Sequence, residues 1–493
     1  MKTIHCATID GFDAKVVDVE VAFVRALPSF TIVGLAQTSI QESKERIKSA
    51  LSTIEFKFPP QKVTVNLSPS DLRKEGSHFD LPIALLIALQ KEKVTFDGFM
   101  AFGELGLDGT LKDTNSLFAI ILSLAQEGLI KKVIIPQESV EKISKIPALE
   151  IYPAQNLQEA LAIFMMPQEA IMIRSNGIVQ RDENEIFELD FRDIKGQEIA
   201  KRASLIAAAG MHNILYEGSP GCGKSMSAKR LRYILPPMSQ EEILYKAKLD
   251  ALDGVEPDFK PIRPMRSPHH SSTRASIFGG GSKSAKIGEI ALAHHGILYF
   301  DEFPHFPKAI LESLREPLED YSMLISRVNS KITYPTKFLF VASMNPCPCG
   351  NLLSVKKDCR CSDLEIKRYK NRLSSPLLDR IDLYVQMDEI TPEDRSTITS
   401  QQMHEQVKKA FERQHQRGQD ELNGKMSDKE IEKFCTLDSE SQAVLDSAVN
   451  RFDLSQRAIK KVLKVARTIA DLDAKKEIEK KHLLESLQYR IKS

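Results

Sequence analysis

The chain has 493 residues, 42% of them apolar, and its 68 basic and 67 acidic side chains leave a formal net charge of +1. This length accommodates roughly three domains of about 100–200 residues each, and the apolar fraction argues against a disordered chain. Balanced charge gives no argument of its own for nucleic acid, and seven cysteines in so long a chain argue against a disulfide scaffold. No apolar run approaches the roughly 18 residues of a membrane-spanning helix, and the first residues lack an apolar signal core. We therefore expect a cytoplasmic protein without membrane contact.

Residues 1–170 alternate short β-like runs with helical stretches, a pattern that predicts an α/β or α+β domain. The predicted strands cover 16–23, 30–35, 62–67 and 131–136, and the predicted helices cover 38–54 and 80–90. A mixed segment over 171–190 is typical of a linker. Beyond it we expect an α/β nucleotide-binding core over 191–390 and, where the chain becomes strongly helical and charged, a helical lid over 391–493.

A phosphate-binding loop is predicted between a strand at 213–217 and a helix that begins at Lys224. The segment GSPGCGKS matches G-x-x-x-x-G-K-[ST], in which glycines let backbone N–H groups approach a polyphosphate and the helix N-terminus adds partial positive charge. Lys224 would reach the outer phosphates. The alternative is a helix-capping turn without a ligand. The residues of the predicted loop are Gly218, Ser219, Pro220, Gly221, Cys222, Gly223, Lys224, Ser225 and Met226.

Two acids end an apolar run further along the chain, in ILYFDE over 297–302. A buried strand that delivers carboxylates is typical of a metal–nucleotide site. We expect Asp301 and the hydroxyl of Ser225 to hold Mg²⁺, and Glu302 to orient or deprotonate the attacking water. The two motifs in this order predict an ATP-hydrolysing P-loop domain.

A third predicted strand, over 337–346, ends in the polar Asn345. An amide in that place can hydrogen-bond the γ-phosphate or the attacking water, and it can respond to the loss of the phosphate. A turn-forming asparagine before Pro346 is the alternative. The two neighbouring motifs favour the sensor.

Four of the seven cysteines fall close together as C-x-C and C-x-C, at Cys347, Cys349, Cys359 and Cys361. Four thiolates match a structural tetrahedral Zn²⁺ site in number, although the spacing is tighter than the usual C-x-x-C. Reduced thiols without a ligand, or a redox switch beside Asn345, are the alternatives. Cys222 is interpreted as a small filler of the phosphate loop.

Four motifs occur in one order along the chain: GSPGCGKS, IGEIALAHHGILYFDE over 287–302, ASMNPCPCG over 342–350 and RLSSPLLDRIDL over 372–383. Together they resemble the ComM/YifB family of magnesium-chelatase-like AAA+ ATPases, and the resemblance spans essentially the whole chain. It implies an AAA+ core, a small helical lid and an N-terminal domain similar to the protease domain of Lon. It also implies a hexameric helicase that drives branch migration of DNA, and so homologous recombination, during natural transformation.

Two arginines take their predicted roles from this resemblance. Arg380 in LLDRIDL corresponds to the arginine that reaches the γ-phosphate of a neighbouring subunit, where a guanidinium stabilises charge on the transferred phosphoryl group. Arg457 corresponds to a second sensor arginine, which couples the position of the lid to the nucleotide state. The alternatives are a structural Arg380 paired with Asp379 or Asp382, and a merely solvated Arg457.

The N-terminal domain is predicted not to be a protease. In Lon-like proteases a serine activated by a lysine lies in the stretch that matches 75–89, but Leu81 and Pro82 occupy that region here and Ser77 lies before the helix. Without a nucleophile and its base there is no covalent route. We expect a scaffold for assembly or DNA contact.

Two basic segments are candidate DNA contacts. One is the polar, Gly-rich stretch over 267–289, and the other is a pair of alternating runs over 323–338 that predicts a β-hairpin. In related ring motors such hairpins protrude into the pore, whereas the alternative is solvated loops that seal subunit contacts. Binding to single-stranded or branched DNA would follow the backbone and weaken with salt. The basic residues concerned are Arg274, Lys283, Arg327 and Lys331.

Three functions are compatible with these features. The first is an oligomeric ATP-driven motor on DNA, and the second is an ATPase chaperone that remodels a protein partner, as in magnesium chelatase. The third is a nucleotide-gated scaffold without hydrolysis. The presence of Lys224, Asp301, Glu302 and Arg380 disfavours the scaffold, and the N-terminal domain disfavours the chaperone.

Overall fold

The computed structural model describes residues 2–179, 187–280, 287–326 and 331–490, without the side chains of Thr38, Ser326 and Lys331. The chain forms two compact units. One comprises Met1–Arg181 and Ser239–Lys260, and the other comprises Asp182–Met238 and Pro261–Ser493. Within the described ranges, no helix has both the length and the apolar character needed to cross a membrane.

Strands and helices alternate through most of the chain, and helices dominate after residue 400. The strands are β1 (Thr3–Asp10), β2 (Asp13–Val24), β3 (Ser29–Val33), β4 (Lys62–Ser68), β5 (Phe99–Ala101), β6 (Glu104–Leu105), β7 (Leu111–Lys112), β8 (Lys132–Pro136), β9 (Glu150–Ala154), β10 (Ile173–Arg174), β11 (Ile214–Gly218), β12 (Met265–Arg266), β13 (Ile297–Phe300), β14 (Ser322–Ser326), β15 (Lys331–Pro335), β16 (Leu339–Met344) and β17 (Leu383–Met387). The α-helices are α1 (Thr38–Thr53), α2 (Asp80–Ala88), α3 (Leu117–Gln126), α4 (Val140–Ile143), α5 (Leu157–Met165), α6 (Glu198–Gly210), α7 (Lys224–Ile234), α8 (Gln240–Leu252), α9 (Arg274–Phe278), α10 (Glu289–Leu292), α11 (Lys308–Ser313), α12 (Arg315–Glu319), α13 (Asp363–Lys370), α14 (Ser375–Leu378), α15 (Ser400–Gln416), α16 (Asp428–Phe434), α17 (Ser439–Phe452), α18 (Gln456–Leu472) and α19 (Lys480–Gln488).

The first unit is built on a mixed sheet in the order β10-β9-β8-β5-β1-β2-β4-β3. Strand β2 pairs antiparallel with both β1 and β4, whereas the pairs β1–β5, β5–β8 and β8–β9 are parallel. Helices α2 and α3 are buried along nearly their whole length, which explains why their sequences are apolar on every side. The unit is α/β, with strands and helices close to the predicted positions.

Helix α8 belongs to the first unit although its sequence lies inside the predicted nucleotide-binding core. Lys248 places its Nζ 2.9 Å from Oδ1 of Asp13. The rings of Phe118 and Phe259 meet edge to face, with 5.2 Å between their centroids. The predicted core over 191–390 is thus interrupted at 239–260, because a helical pattern does not reveal which unit the helix packs into.

The second unit contains an all-parallel sheet in the order β12-β13-β16-β11-β17. Alternate side chains enter different cores. Ile297 and Tyr299 face one side of the sheet, and Leu298 and Phe300 face the other. A sheet buried on both faces favours apolar residues at successive positions, so its central strands are largely apolar in the sequence.

Helices after β17 complete this unit. Helices α15 and α18 pack against α6 and share the core on one face of the sheet, through residues such as Val407 and Ile469. Helices α16 to α19 also enclose a smaller apolar cluster of their own, which includes Ile431, Leu445 and Leu483. The helical region predicted over 391–493 is present as separate helices from α15 to α19.

Candidate nucleotide-binding site

The carboxyl ends of three neighbouring strands bring the predicted site residues together. Strand β11 runs into the loop that precedes α7, β13 precedes Asp301, and β16 lies between these two strands and precedes Asn345. Parallel strands end at the same edge of a sheet, which is where such sheets bind ligands. The loop, the acids and the amide therefore form one site.

The loop follows the geometry that its glycines predict. Gly221 and Gly223 have φ angles of 84° and 102°, which other residues rarely adopt. A Cβ at Gly218 would lie 2.6 Å from Sγ of Cys222, which is itself buried. Cys222 thus packs beneath the loop, in agreement with its interpretation as a filler.

Lys224 is the centre of the site. Its Nζ donates hydrogen bonds to the carbonyl oxygen of Gly218 at 2.6 Å, to that of Ser219 at 3.0 Å and to Oδ1 of Asn345 at 3.2 Å. Burial lowers the pKa of Lys224. Within the described part of the chain, the buried Oγ of Ser219 has no hydrogen-bond partner. A buried ammonium and a spare hydroxyl beside a glycine-rich loop fit a polyphosphate.

Asp301 lies between two hydroxyl groups. Ser225 donates to Oδ2 of Asp301 at 3.2 Å, and Ser343 of β16 donates to Oδ1. Ser343 also shares a hydrogen bond of 3.1 Å with Tyr299, and burial raises the pKa of Tyr299. A carboxylate beside a serine hydroxyl supplies the oxygen ligands that Mg²⁺ requires. Nothing in the sequence singles out Ser343, since it lies within an apolar strand.

Glu302 has a different environment from its neighbour. Its φ angle of 51° is left-handed, and its side chain is about half exposed. Oε2 of Glu302 lies 3.6 Å from Nδ1 of His270. A strained backbone at a partly exposed carboxylate suits a base that meets a water molecule. The segment over 267–289, predicted to contact DNA, therefore places one of its histidines beside this acid.

An ion pair between a buried acid and a partly exposed lysine lies next to the loop. Glu217 in β11 is 1% exposed, and its Oε1 lies 3.1 Å from Nζ of Lys370 at the end of α13. Burial raises the pKa of Glu217. No motif in the sequence predicts this contact.

The two predicted arginines meet at one acid at the other end of the sheet. Arg380 and Arg457 both donate to the carboxylate of Glu319 in α12. Among the described residues, Arg380 forms its ion pair with Glu319 and not with the predicted alternatives Asp379 and Asp382.

The position of Arg380 is fixed by β11. Its carbonyl oxygen accepts a hydrogen bond of 2.8 Å from Nδ2 of Asn213, and Asp382 accepts one of 2.8 Å from the backbone N–H of Asn213. Asn213 precedes β11, whereas the phosphate loop follows it. A cavity of about 350 Å³ lies here. Its lining includes Glu319, Arg380, Arg457, Lys460, Lys461 and Lys464.

The candidate DNA contacts are described only in part. Arg274 begins α9 and its guanidinium lies 5.8 Å from the ring centroid of Phe278. Strands β14 and β15 pair antiparallel from Ser322 opposite Pro335 to Ser326 opposite Lys331, so the predicted hairpin is present. Lys283, Arg327 and the side chain of Lys331 lie outside the described residues.

The cysteine cluster is assembled in space. The Sγ atoms of the four cysteines all lie within 4.8 Å of one another. Backbone N–H groups of Asn351 and Arg360 lower the pKa of the Cys349 thiol to about 6. The cluster can hold a metal ion.

The first unit places the predicted protease region in its core. Leu81 and Pro82 are buried in α2, and the hydroxyl of Ser77 donates to the carboxylate of Glu104. The lysine nearest to Ser77 in the sequence, Lys74, donates from its Nζ to the carbonyl oxygen of Pro69.

The parallel sheet carries a phosphate loop after β11, an acid after β13 and a polar amide after β16, the strand between these two. This arrangement defines a P-loop ATPase of the AAA+ type. Residues 190–395 match the family model described as magnesium chelatase, subunit ChlI, and residues 397–490 match that of its C-terminal domain. Residues 19–139 match the model described as subunit ChlI of Mg-chelatase.

Relatives match over nearly the whole chain. The identity is 39% to competence protein ComM of Haemophilus influenzae, over 97% of this chain and 95% of that protein. It is 38% to the uncharacterized protein YifB of Salmonella typhimurium, over 99% and 96%. A match to the magnesium-chelatase 38 kDa subunit of Rhodobacter capsulatus, at 26% identity, covers 32% of this chain and 50% of that one. The chain belongs to the ComM/YifB family of magnesium-chelatase-like AAA+ ATPases, as its motifs predict.

Proposed function

We propose that the protein is a ring-forming, ATP-driven motor on DNA, and that ATP is cleaved at the seam between adjoining protomers. One observation carries this proposal: Arg380 and Arg457 share Glu319 at the end of the sheet remote from the phosphate loop. Strand β11 separates the two ends by about 16 Å, at about 3.3 Å per residue from Asn213 to Gly218. An arginine held there cannot reach the nucleotide of its own chain, but it can face that of a neighbour.

Each residue of the site has a distinct chemical task in this proposal. Lys224 binds the outer phosphates, and Ser225 with Asp301 holds Mg²⁺, which neutralises charge on those phosphates. Glu302 accepts a proton from the attacking water. Oδ1 of Asn345 lies 3.2 Å from Nζ of Lys224. With nucleotide bound, Asn345 orients the attacking water or the γ-phosphate.

Glu319 keeps the two guanidinium groups together before assembly. Two like charges would repel each other in the cavity unless an anion lies between them. On assembly, the developing negative charge of the neighbour's phosphoryl group takes the place of that anion, and hydrolysis then depends on the ring. This arrangement supports a homo-oligomer, and we propose a hexamer.

DNA is the proposed substrate of the motor. One relative carries the name competence protein, and its similarity extends through both units. The β14–β15 hairpin and the N-terminus of α9 with Arg274 supply candidate backbone contacts. We propose that the motor drives branch migration and thereby promotes integration of DNA by homologous recombination in natural transformation.

An ATPase chaperone of the magnesium-chelatase type is the second candidate. The family models that match the chain are named after magnesium chelatase, which favours it. However, a magnesium-chelatase subunit matches only 32% of this chain, whereas ComM matches 97%. We therefore rank the DNA motor first.

Steady-state ATP hydrolysis with and without single-stranded or forked DNA distinguishes the two candidates. Glu302→Gln serves as the control, because it keeps the shape of the side chain and removes the base. The motor predicts hydrolysis that rises on addition of DNA, is absent in the control variant, and loses the stimulation as salt rises. A rate of ATP hydrolysis that no DNA structure changes, and that rises only when a protein partner is added, would contradict the motor and support the chaperone.

A further inference from the structure

The four sulfur atoms of the cysteine cluster already have the spacing of a mononuclear metal site. Sγ of Cys347 lies 3.4 Å from that of Cys349 and 3.7 Å from that of Cys359, and the last two are 3.7 Å apart. A tetrahedral ion with metal–sulfur bonds of about 2.3 Å requires sulfur atoms about 3.8 Å apart. Disulfide bonds would bring pairs to about 2.05 Å. A polynuclear iron–sulfur cluster would separate them further, because its cysteines bind different iron atoms.

The segment between the two cysteine pairs has little else to hold it. Of its three large apolar residues, Leu352 and Val355 are 38% and 93% exposed, and Leu353 is only partly buried. Its backbone is tied down by polar contacts such as the hydrogen bond of 3.3 Å from Val355 N–H to Glu389. A short segment without a core is stabilised in many proteins by a metal ion with four protein ligands.

This cluster touches the phosphate loop directly. Gly350 closes a turn through its N–H to the carbonyl oxygen of Cys347 at 3.0 Å. A Cβ on Gly350 would lie 2.8 Å from both Cδ and Cγ of Pro220 and 3.9 Å from Cγ of Asn345. Gly350 thus packs against the loop and faces the sensor.

A second connection runs through helix α13. Ser362, which follows Cys361, caps this helix in a reciprocal arrangement with Glu365. At the other end of the helix, Lys370 pairs with Glu217 one residue before the phosphate loop. The cysteine pairs therefore lie at the two ends of a segment whose Gly350 contacts the loop, and the helix that follows the segment contacts the strand residue just before the loop.

We propose that Cys347, Cys349, Cys359 and Cys361 bind one Zn²⁺ as a structural site, and that this ion holds Pro220 and Asn345 in the geometry that binds ATP. Four protein ligands leave no open position, so the ion takes no part in hydrolysis. Removal of the ion frees the turn around Gly350 and weakens nucleotide binding.

Metal analysis of the full-length protein, purified without a metal-binding tag, tests the first half. Wild-type protein and Cys435→Ala should carry one zinc per chain, because Cys435 lies outside the cluster, and Cys359→Ser should lose it. A thiol-blocking reagent should release the zinc of the wild type stoichiometrically, which tests the site even if Cys359→Ser fails to fold. Iron in place of zinc, no bound metal, or disulfides among the four cysteines would each overturn the proposal. Metal content and zinc release do not depend on DNA or on ATP hydrolysis, so they test the zinc site independently of the proposed motor function.

Binding of Mg·ATP tests the second half. Gly350→Ala should retain zinc but bind ATP about tenfold more weakly, which corresponds to about 1.4 kcal/mol. Gly254→Ala is the matched control, because its φ of 79° resembles the 81° of Gly350 and its Cβ would meet nothing within 4 Å. Equal ATP affinity of the two variants would overturn the link between the zinc site and the loop.

Discussion

Substitution of Lys224 by methionine removes the charge at the centre of the site and keeps an unbranched side chain. The three donors of its ammonium group are already used, by the carbonyl oxygens of Gly218 and Ser219 and by Asn345. Binding of ATP must exchange at least two of these neutral acceptors for phosphate oxygens. A hydrogen bond to a charged group contributes about 1.5–3 kcal/mol, and an exchange of partners favours the lower end. We therefore expect a loss of about 3 kcal/mol, or roughly a hundredfold in affinity.

Isothermal titration with Mg·ATP measures this loss. Lys229→Met is the control, since Lys229 lies in the same helix but is exposed. The control should bind ATP as the wild type does, whereas Lys224→Met should bind roughly a hundredfold more weakly. An affinity of Lys224→Met within about threefold of the control would refute the role that the geometry assigns to the ammonium group.

Three further predictions concern other parts of the second unit. Asn345→Ala should lower kcat about tenfold, the worth of one hydrogen bond. An unchanged kcat would contradict the sensor. Arg380→Ala should lower kcat about 10³-fold, and Arg380→Lys should restore little of it. Burial lowers the pKa of Lys425 from 10.5 to about 8. Between pH 8 and 10.5 the unfolded chain therefore binds more protons than the folded protein, and the stability of the wild type rises with pH over this range. Lys425→Met should therefore stabilise the unit at neutral pH by on the order of 3 kcal/mol, and this gain, followed by denaturant unfolding, should shrink above pH 8.

Where local rules determine the fold, the elements predicted from the sequence agree well with those in the structure. The predicted strand at 213–217 and the helix from Lys224 correspond to β11 and α7, because the glycine motif requires a strand before it and a helix after it. Asp301 and Asn345 could be predicted for a similar reason, since each is a polar residue that ends a buried strand. The hairpin over 323–338 follows from alternation alone.

Features that depend on distant residues could not be predicted. Ser343 binds Asp301 from within an apolar strand, and Glu319 holds two arginines from a short helix without a motif. The excursion of residues 239–260 into the first unit likewise has no local signal. In each case the partner is chosen by tertiary packing, which a pattern of spacing does not encode.

Hydrolysis by mixed rings tests the shared seam most directly. Lys224→Met lacks the ammonium group of the phosphate loop, and Arg380→Ala lacks the guanidinium group that would act on the neighbouring subunit. Each variant should therefore be nearly inactive alone. In an equimolar mixture, about a quarter of the seams join an intact phosphate loop to an intact Arg380. ATP hydrolysis should then recover toward about a quarter of the wild-type rate. Failure of the mixture to recover any activity, in rings shown to contain both variants, would contradict the account, as would an Arg380→Ala protein that hydrolyses ATP at the wild-type rate.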